Sequence, residues 1–270
     1  MNAESSTGAV IAQATDGLLH GFRPIGSFLS KDGIRPKRAP AGFRRIPVIL
    51  LGLVLLGAGS AGAEDADDPE GASPEPTIEL AGPALVEAIR DGGFVLYLRH
   101  METDRGRPDA EQIDLADCAT QRVLSAEGRG QADRIGRALT ELSVPVGAVW
   151  SSPYCRCRDT ALLAFGGSRT DDALRYARHE ATAEREVLAE ALRERLSRAP
   201  ADGTNTVLVS HSTNMLFATG VSPRPEGALY VFRPEGAAGF RMVGRILPDQ
   251  WERLLVQVPA REGASPASPR

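Results

Sequence analysis

Apolar and polar residues change period repeatedly along the chain, and the changes outline the elements. Between Pro83 and Gly92, the apolar positions Leu85, Val86 and Ile89 share one helical face, and Gly92-Gly93 supplies a tight stop. Phe94-Val95-Leu96-Tyr97-Leu98 is a continuous apolar run, the pattern of a strand covered on both faces. Ser125 is a plausible N-cap for a helix to about Leu142, with Ala132, Ile135, Leu139 and Leu142 on one side and Arg129, Asp133, Arg137 and Glu141 mostly on the other. Pro145 closes that segment. A short strand is predicted at Ala148-Val149-Trp150, and a helix from Arg158 to Phe165 ends at Gly166-Gly167. Another helix fits Glu184 to Arg198, with Val187, Leu188, Ala191, Leu192 and Leu196 as its buried stripe. Thr206-Val207-Leu208-Val209 predicts a strand after Gly203. The runs 228–232 and 240–246 form an expected hairpin joined across Gly236 to Gly239.

Strands alternating with helices of ten or more residues predict an α/β fold, a three-layer α/β/α sandwich with a mostly parallel central sheet. Ligands of such sheets bind beyond the carboxyl ends of the strands. Three runs deliver polar residues to that edge: Arg99-His100, Ser151-Ser152 with Arg156 following, and Ser210-His211.

The segment before this domain has a different character. Arg35, Lys37, Arg38, Arg44 and Arg45 precede the apolar run 46–58, and small residues follow up to Ala63, the order of a secretory signal peptide. The apolar run is shorter than the roughly 20 residues of a spanning helix, so cleavage is expected rather than retention as a membrane anchor. The expected organisation is a leader at 1–63, a linker at 64–81, the folded domain at 82–255 and a disordered tail at 256–270.

Of the 31 basic and 35 acidic residues, seven and three fall before residue 64; the remaining 24 and 32 give the exported part a net charge of about −8. That balance argues against a nucleic-acid partner. No lysine follows residue 63, so every fixed positive charge there is an arginine. Of the three cysteines, Cys155 and Cys157 are too close along one element to pair readily, which leaves Cys118 with Cys155 or Cys157; Cys118 with Cys155 is the favoured disulfide.

An Arg-His pair is weak by itself, and Arg178-His179 supplies a second copy in a polar stretch, where a solvated loop or helix is the ordinary reading. Around the first copy the chain is more specific. Leu96-Tyr97-Leu98-Arg99-His100-Met101-Glu102-Thr103-Asp104 resembles the opening signature of the histidine phosphatase (phosphoglycerate mutase-like) superfamily. Three further segments resemble that family in the right order: Leu124 to Ala132, Ser151 to Ala161, and Val207-Leu208-Val209-Ser210-His211.

The resemblance implies a phosphatase that hydrolyses phosphomonoesters of a small substrate through a phosphohistidine intermediate on His100, and the leader's order implies action outside the cytoplasm. Chemistry explains the residue types: a neutral imidazole can attack phosphorus, and fixed cations stabilise the charge on the migrating phosphoryl group. Arg99 and Arg156 would supply bidentate donors, and the resemblance adds His211 to the cluster. Thr103 and Ser212 are candidates for the phosphate shell. Ser212 stands where some branches of the family place an acidic residue, so the general acid is sought elsewhere: Glu184 first, then Glu180 and Glu226. No cofactor or metal is expected, since the His and Cys spacings are not those of a zinc site. The alternative is a non-catalytic phosphate-binding module of the same fold, lacking an efficient acid.

Overall fold

The computed structural model describes residues 77–261. The expected leader, most of the linker and the end of the tail lie outside the described residues.

The central sheet has six strands: β1 (Val95–Arg99), β2 (Val146–Ser151), β3 (Arg169–Thr170), β4 (Asn205–Ser210), β5 (Leu229–Pro234) and β6 (Phe240–Ile246). Their spatial order is β3-β2-β4-β1-β5-β6. The first four in that order run parallel, while β5 is antiparallel to β1 and β6 to β5. Among the described residues, six α-helices accompany them: α1 (Gly82–Arg90), α2 (Ala126–Glu141), α3 (Cys155–Phe165), α4 (Thr182–Ser197), α5 (Ser212–Thr219) and α6 (Trp251–Gln257). This is the expected α/β architecture.

Strand β1 is buried throughout because both faces of the sheet are covered. Leu96 and Leu98 join a cluster with Leu85 and Ile89 of α1, Ile135 and Leu139 of α2 and Ala161 of α3. Val95 and Tyr97, pointing the other way, join Leu192 of α4 and Met215 of α5. Each such fully buried aliphatic side chain contributes roughly 1.5–3 kcal/mol by leaving water.

Ser125 caps α2, its hydroxyl accepting from Gly128 N–H at 2.9 Å. Gly128 itself is required by contact: a Cβ there would lie 2.0 Å from the carbonyl oxygen of Glu102, so only glycine lets α2 approach the segment following β1.

The structure departs from the sequence expectations in several places. Helix α3 begins at Cys155, not Arg158, which puts Arg156 in its first turn. Val187 is 59% exposed; the buried stripe of α4 is Leu188, Ala189, Leu192 and Leu196, the face at i, i+4 spacing that meets the sheet. Helix α5 was not legible, since Met215-Leu216-Phe217-Ala218 shows no polar–apolar period. At the ends, Glu79 and Leu80 both donate to the Val243 carbonyl at 3.1 and 2.8 Å. Helix α6 continues to Gln257, Val258 is buried, and the Pro259 carbonyl accepts from Arg90 at 2.8 Å. The ordered structure therefore extends into the segments expected as linker and tail. Among the described residues, no helix is long and apolar enough to cross a membrane.

Candidate active site

The sheet register brings the three polar runs together. In the order β2-β4-β1, Ser151 lies opposite Val209, and Ser210 lies opposite Arg99. Backbone bonds extend this alignment past the strand ends: His100 N–H donates to Ser210 at 3.0 Å and Ser152 N–H to Val209 at 2.9 Å. Distant sequence segments thus deliver His100, Ser152 and His211 to one point at the carboxyl edge.

The rings of His100 and His211 lie 5.4 Å apart, edge to face. His100 Nδ1 is 2.9 Å from the carbonyl oxygen of Met101; a carbonyl can only accept, so Nδ1 carries the proton and the lone pair falls on Nε2. His100 is buried, and its pKa is held well below the ordinary value, first by desolvation and then by the charges of Arg156 and Arg99. His211 is lowered for the same reasons: burial first, then Arg156 and His100. Its Nε2 is 2.8 Å from Ser152 Oγ, which already accepts from Tyr154 N–H at 3.3 Å and so has its own proton to donate to a neutral ring. The Tyr97 hydroxyl donates to the His211 carbonyl at 2.6 Å and fixes the backbone there.

Arg156 is fully buried. A cation in the first turn of a helix opposes the helix dipole, so its position calls for compensation. Its Nη1 donates to Asp109 Oδ1 at 3.2 Å, and its guanidinium lies over the rings of Tyr154 and Tyr176 at 4.6 and 5.2 Å. Among the described residues, its Nε and Nη2 meet no acceptor although both are buried. Two parallel donors left in that state suit the oxygens of a phosphate group. Arg99 donates from Nη1 to the Pro223 carbonyl at 3.0 Å, and its Nη2 stands 3.8 Å from Glu226.

The remaining candidates divide. Thr103 is buried, with its hydroxyl directed to Glu226 Oε1 at 2.9 Å. Ser212 is buried as the first residue of α5. Glu184 is not brought to the cluster: it pairs with Arg175, which also holds Glu180 at 2.9 Å, because both acids face the same exposed side of the entry to α4. Cys118 and Cys155 form a disulfide, with sulfurs 1.98 Å apart. It fastens the loop after β1 to the residue preceding Arg156. Cys157 is a free buried thiol whose pKa burial pushes up to about 12, so it remains protonated and inert.

Sequence reasoning missed Asp109 and Arg122, and it left Ser152 without a role. Arg122 acts electrostatically on both imidazoles, and its N–H donates to Asp109 Oδ1 at 2.7 Å. Both residues sit in an irregular loop without periodicity, where an acidic or basic residue has no distinguishing local pattern. Among the described residues, no three His, Cys, Asp or Glu side chains are grouped to hold a metal ion.

Residues 95–187 match the profile of the histidine phosphatase superfamily (branch 1). The matched segment contains Arg99, His100 and Arg156. Solved structures that resemble the chain include Bacillus stearothermophilus YhfR, at 17% identity and a TM-score of 0.43, covering 57% of this chain and 98% of the other. A mycobacterial glucosyl-3-phosphoglycerate phosphatase is 19% identical with a TM-score of 0.40, covering 56% and 96%. A phosphoserine phosphatase from Entamoeba histolytica is 13% identical with a TM-score of 0.40, covering 57% and 97%. No curated protein sequence matches the chain.

Proposed function

We propose that this protein is a metal-independent phosphomonoesterase that hydrolyses small phosphorylated substrates through a phosphohistidine on His100. The observation that carries the reading is the tautomer of His100: Nδ1–H is committed to Met101, so Nε2 offers its lone pair within a nest of buried guanidiniums. Nε2 attacks phosphorus, the P–O bond to the alcohol breaks, and the alcohol leaves with a proton. Water then attacks the phosphoryl group, the N–P bond breaks, and inorganic phosphate departs while His100 returns to its neutral form. Arg99 and Arg156 carry the charge of the equatorial oxygens, and His211 completes the cradle.

The proton for the alcohol comes from the side of Nε2. Glu226 lies 3.8 Å from Nδ1, on the opposite side of the ring, and so does not serve the leaving group. Asp109, on the outer side of Arg156, accepts from that guanidinium and positions it, so the proton reaches the alcohol from solvent. Action outside the cytoplasm is part of the same proposal. It is supported by the basic, apolar and small-residue order of residues 35–63 and by the Cys118–Cys155 pairing, which persists in oxidising compartments.

Turnover of p-nitrophenyl phosphate by the purified protein and by His100→Ala tests the assignment, with alkaline quench and mass spectrometry to locate phosphate on the ring. A loss on the order of 10⁴-fold or more is expected; equal turnover by both proteins would end it. A non-catalytic phosphate-binding module is the second reading, favoured by the engagement of Glu184 with Arg175. Phosphate binding without turnover on a broad substrate panel would select it.

A further inference from the structure

We infer that Asn214 is a positioning residue for phosphoryl transfer: its carboxamide holds the backbone on either side of Tyr176 and so fixes the ring that steers the Arg156 guanidinium. The inference rests on the phosphatase reading and adds a residue to it.

Asn214 lies in the first turn of α5, shortly after His211, and is buried. Its Nδ2 donates to the Arg175 carbonyl at 2.7 Å, and its Oδ1 accepts from Ala177 N–H at 3.3 Å. The residue between them, Tyr176, is extended, with φ −64° and ψ 104°. In an extended chain the carbonyl before a residue and the N–H after it point to the same side, so one carboxamide can take both. The segment 174–177 belongs to no strand, so its buried backbone groups need partners of this kind. Ser210, the last residue of β4, adds another: its hydroxyl donates to the Leu174 carbonyl at 2.8 Å. His211 thus sits on the short stretch 210–214 that also pins Tyr176.

The ring held in this way borders two catalytic groups. Its centroid is 4.9 Å from that of His211, and the Arg156 guanidinium carbon lies 5.2 Å from it. Tyr154, turned 81° to Tyr176, meets the same guanidinium at 4.6 Å. Arg156 commits Nη1 to Asp109 and has Nε and Nη2 left for the phosphoryl oxygens. A planar fork delivers two donors together only at one rotation about its long axis, and the rings set that rotation. An apolar side chain would fill the place of Asn214 without the cost of burying an amide. What the amide adds is its grip on both neighbours of Tyr176.

The test is a double-mutant cycle on p-nitrophenyl phosphate turnover with Asn214→Ala, Tyr176→Leu and both together. Each single variant should lower kcat by on the order of 10–10²-fold with KM little changed, because misaimed donors weaken the transition state more than the bound ester. The double variant should fall no further than the less active single variant, since both act through one ring. Tyr176→Phe, which keeps the ring, should recover most of what Tyr176→Leu loses. Wild-type kcat in Asn214→Ala, losses that multiply, a change confined to KM, or no recovery with phenylalanine overturns the inference. If Asn214→Ala does not fold, Asn214→Asp, which keeps the size and the acceptor, takes its place in the cycle. Failure of both to fold makes Asn214 a residue of the fold alone and also overturns the inference. If the wild-type protein turns over no phosphomonoester, the phosphatase reading fails separately, and the same cycle is read on vanadate affinity by calorimetry. Non-additive losses there uphold the positioning role; additive losses, or no vanadate binding by the wild-type protein, overturn it.

Discussion

Glu226 accepts both the backbone N–H of Thr103, at 3.1 Å, and the Thr103 hydroxyl, at 2.9 Å, and so ties the loop before β5 to the segment after β1. The same carboxylate lies 3.8 Å from Arg99 and from His100 Nδ1. It therefore stabilises the chain around the nucleophile and supplies a counter-charge to an arginine that would otherwise be costly to bury.

Glu226→Gln keeps the shape and removes the charge. One of the two Thr103 donors then faces an amide N–H, and Arg99 loses its nearby carboxylate. Urea unfolding should show a loss of about 2–4 kcal/mol relative to wild type. An unchanged midpoint would mean that the Glu226–Thr103 contact contributes nothing net.

Arg156→Lys preserves the charge but replaces a planar fork by a single ammonium. Because Nε and Nη2 of Arg156 are the donors left for a substrate, kcat/KM should fall by roughly 10²–10³, and affinity for vanadate should fall with it. Near-wild-type activity in the lysine variant would show that only the charge is used.

Both active-site imidazoles have folded-state pKa values well below the ordinary one. The unfolded chain takes up protons as pH drops below about 6.5, whereas the folded chain does not. Stability from this source is thus full above that pH. It declines as pH falls from there toward the folded-state values, by at most about 2.7 kcal/mol per pH unit for two rings. The same depression keeps His100 nucleophilic, so the acid limb of kcat/KM should have its midpoint below 6.5. A midpoint above 6.5 would contradict the electrostatics of the site.

The Cys118–Cys155 bridge closes a loop of sequence separation 37 that contains Arg122 and ends beside Arg156. Cys118→Ser with Cys155→Ser should lower stability by about 4 kcal/mol on the chain-entropy account. Activity should fall further than global unfolding explains, because Arg122 loses its tether. Mass spectrometry of the non-reduced protein should find one free thiol, Cys157; three free thiols would refute the pairing.

Much of this site was legible before folding because local patterns mark strands and their ends. The apolar runs 94–98 and 206–209 stop abruptly at Arg99-His100 and Ser210-His211, and parallel strands place such stops on one edge. Helices α2 and α4 were legible from their periodicity, although the phase of α4 was misjudged at Val187, which lies on its exposed side. Helix α5 and the loop residues had no comparable signal.

What the amino-acid order determined by itself is the set of elements and the polar residues at their ends, since hydrophobic period and strand length are properties of contiguous residues. Only the tertiary structure decided which carboxylates join the arginines. Glu184 bonds within its own neighbourhood, while Asp109 and Glu226 reach Arg156 and Thr103 across 47 and 123 positions. Contacts of that span arise from chain packing, and no local residue pattern encodes them.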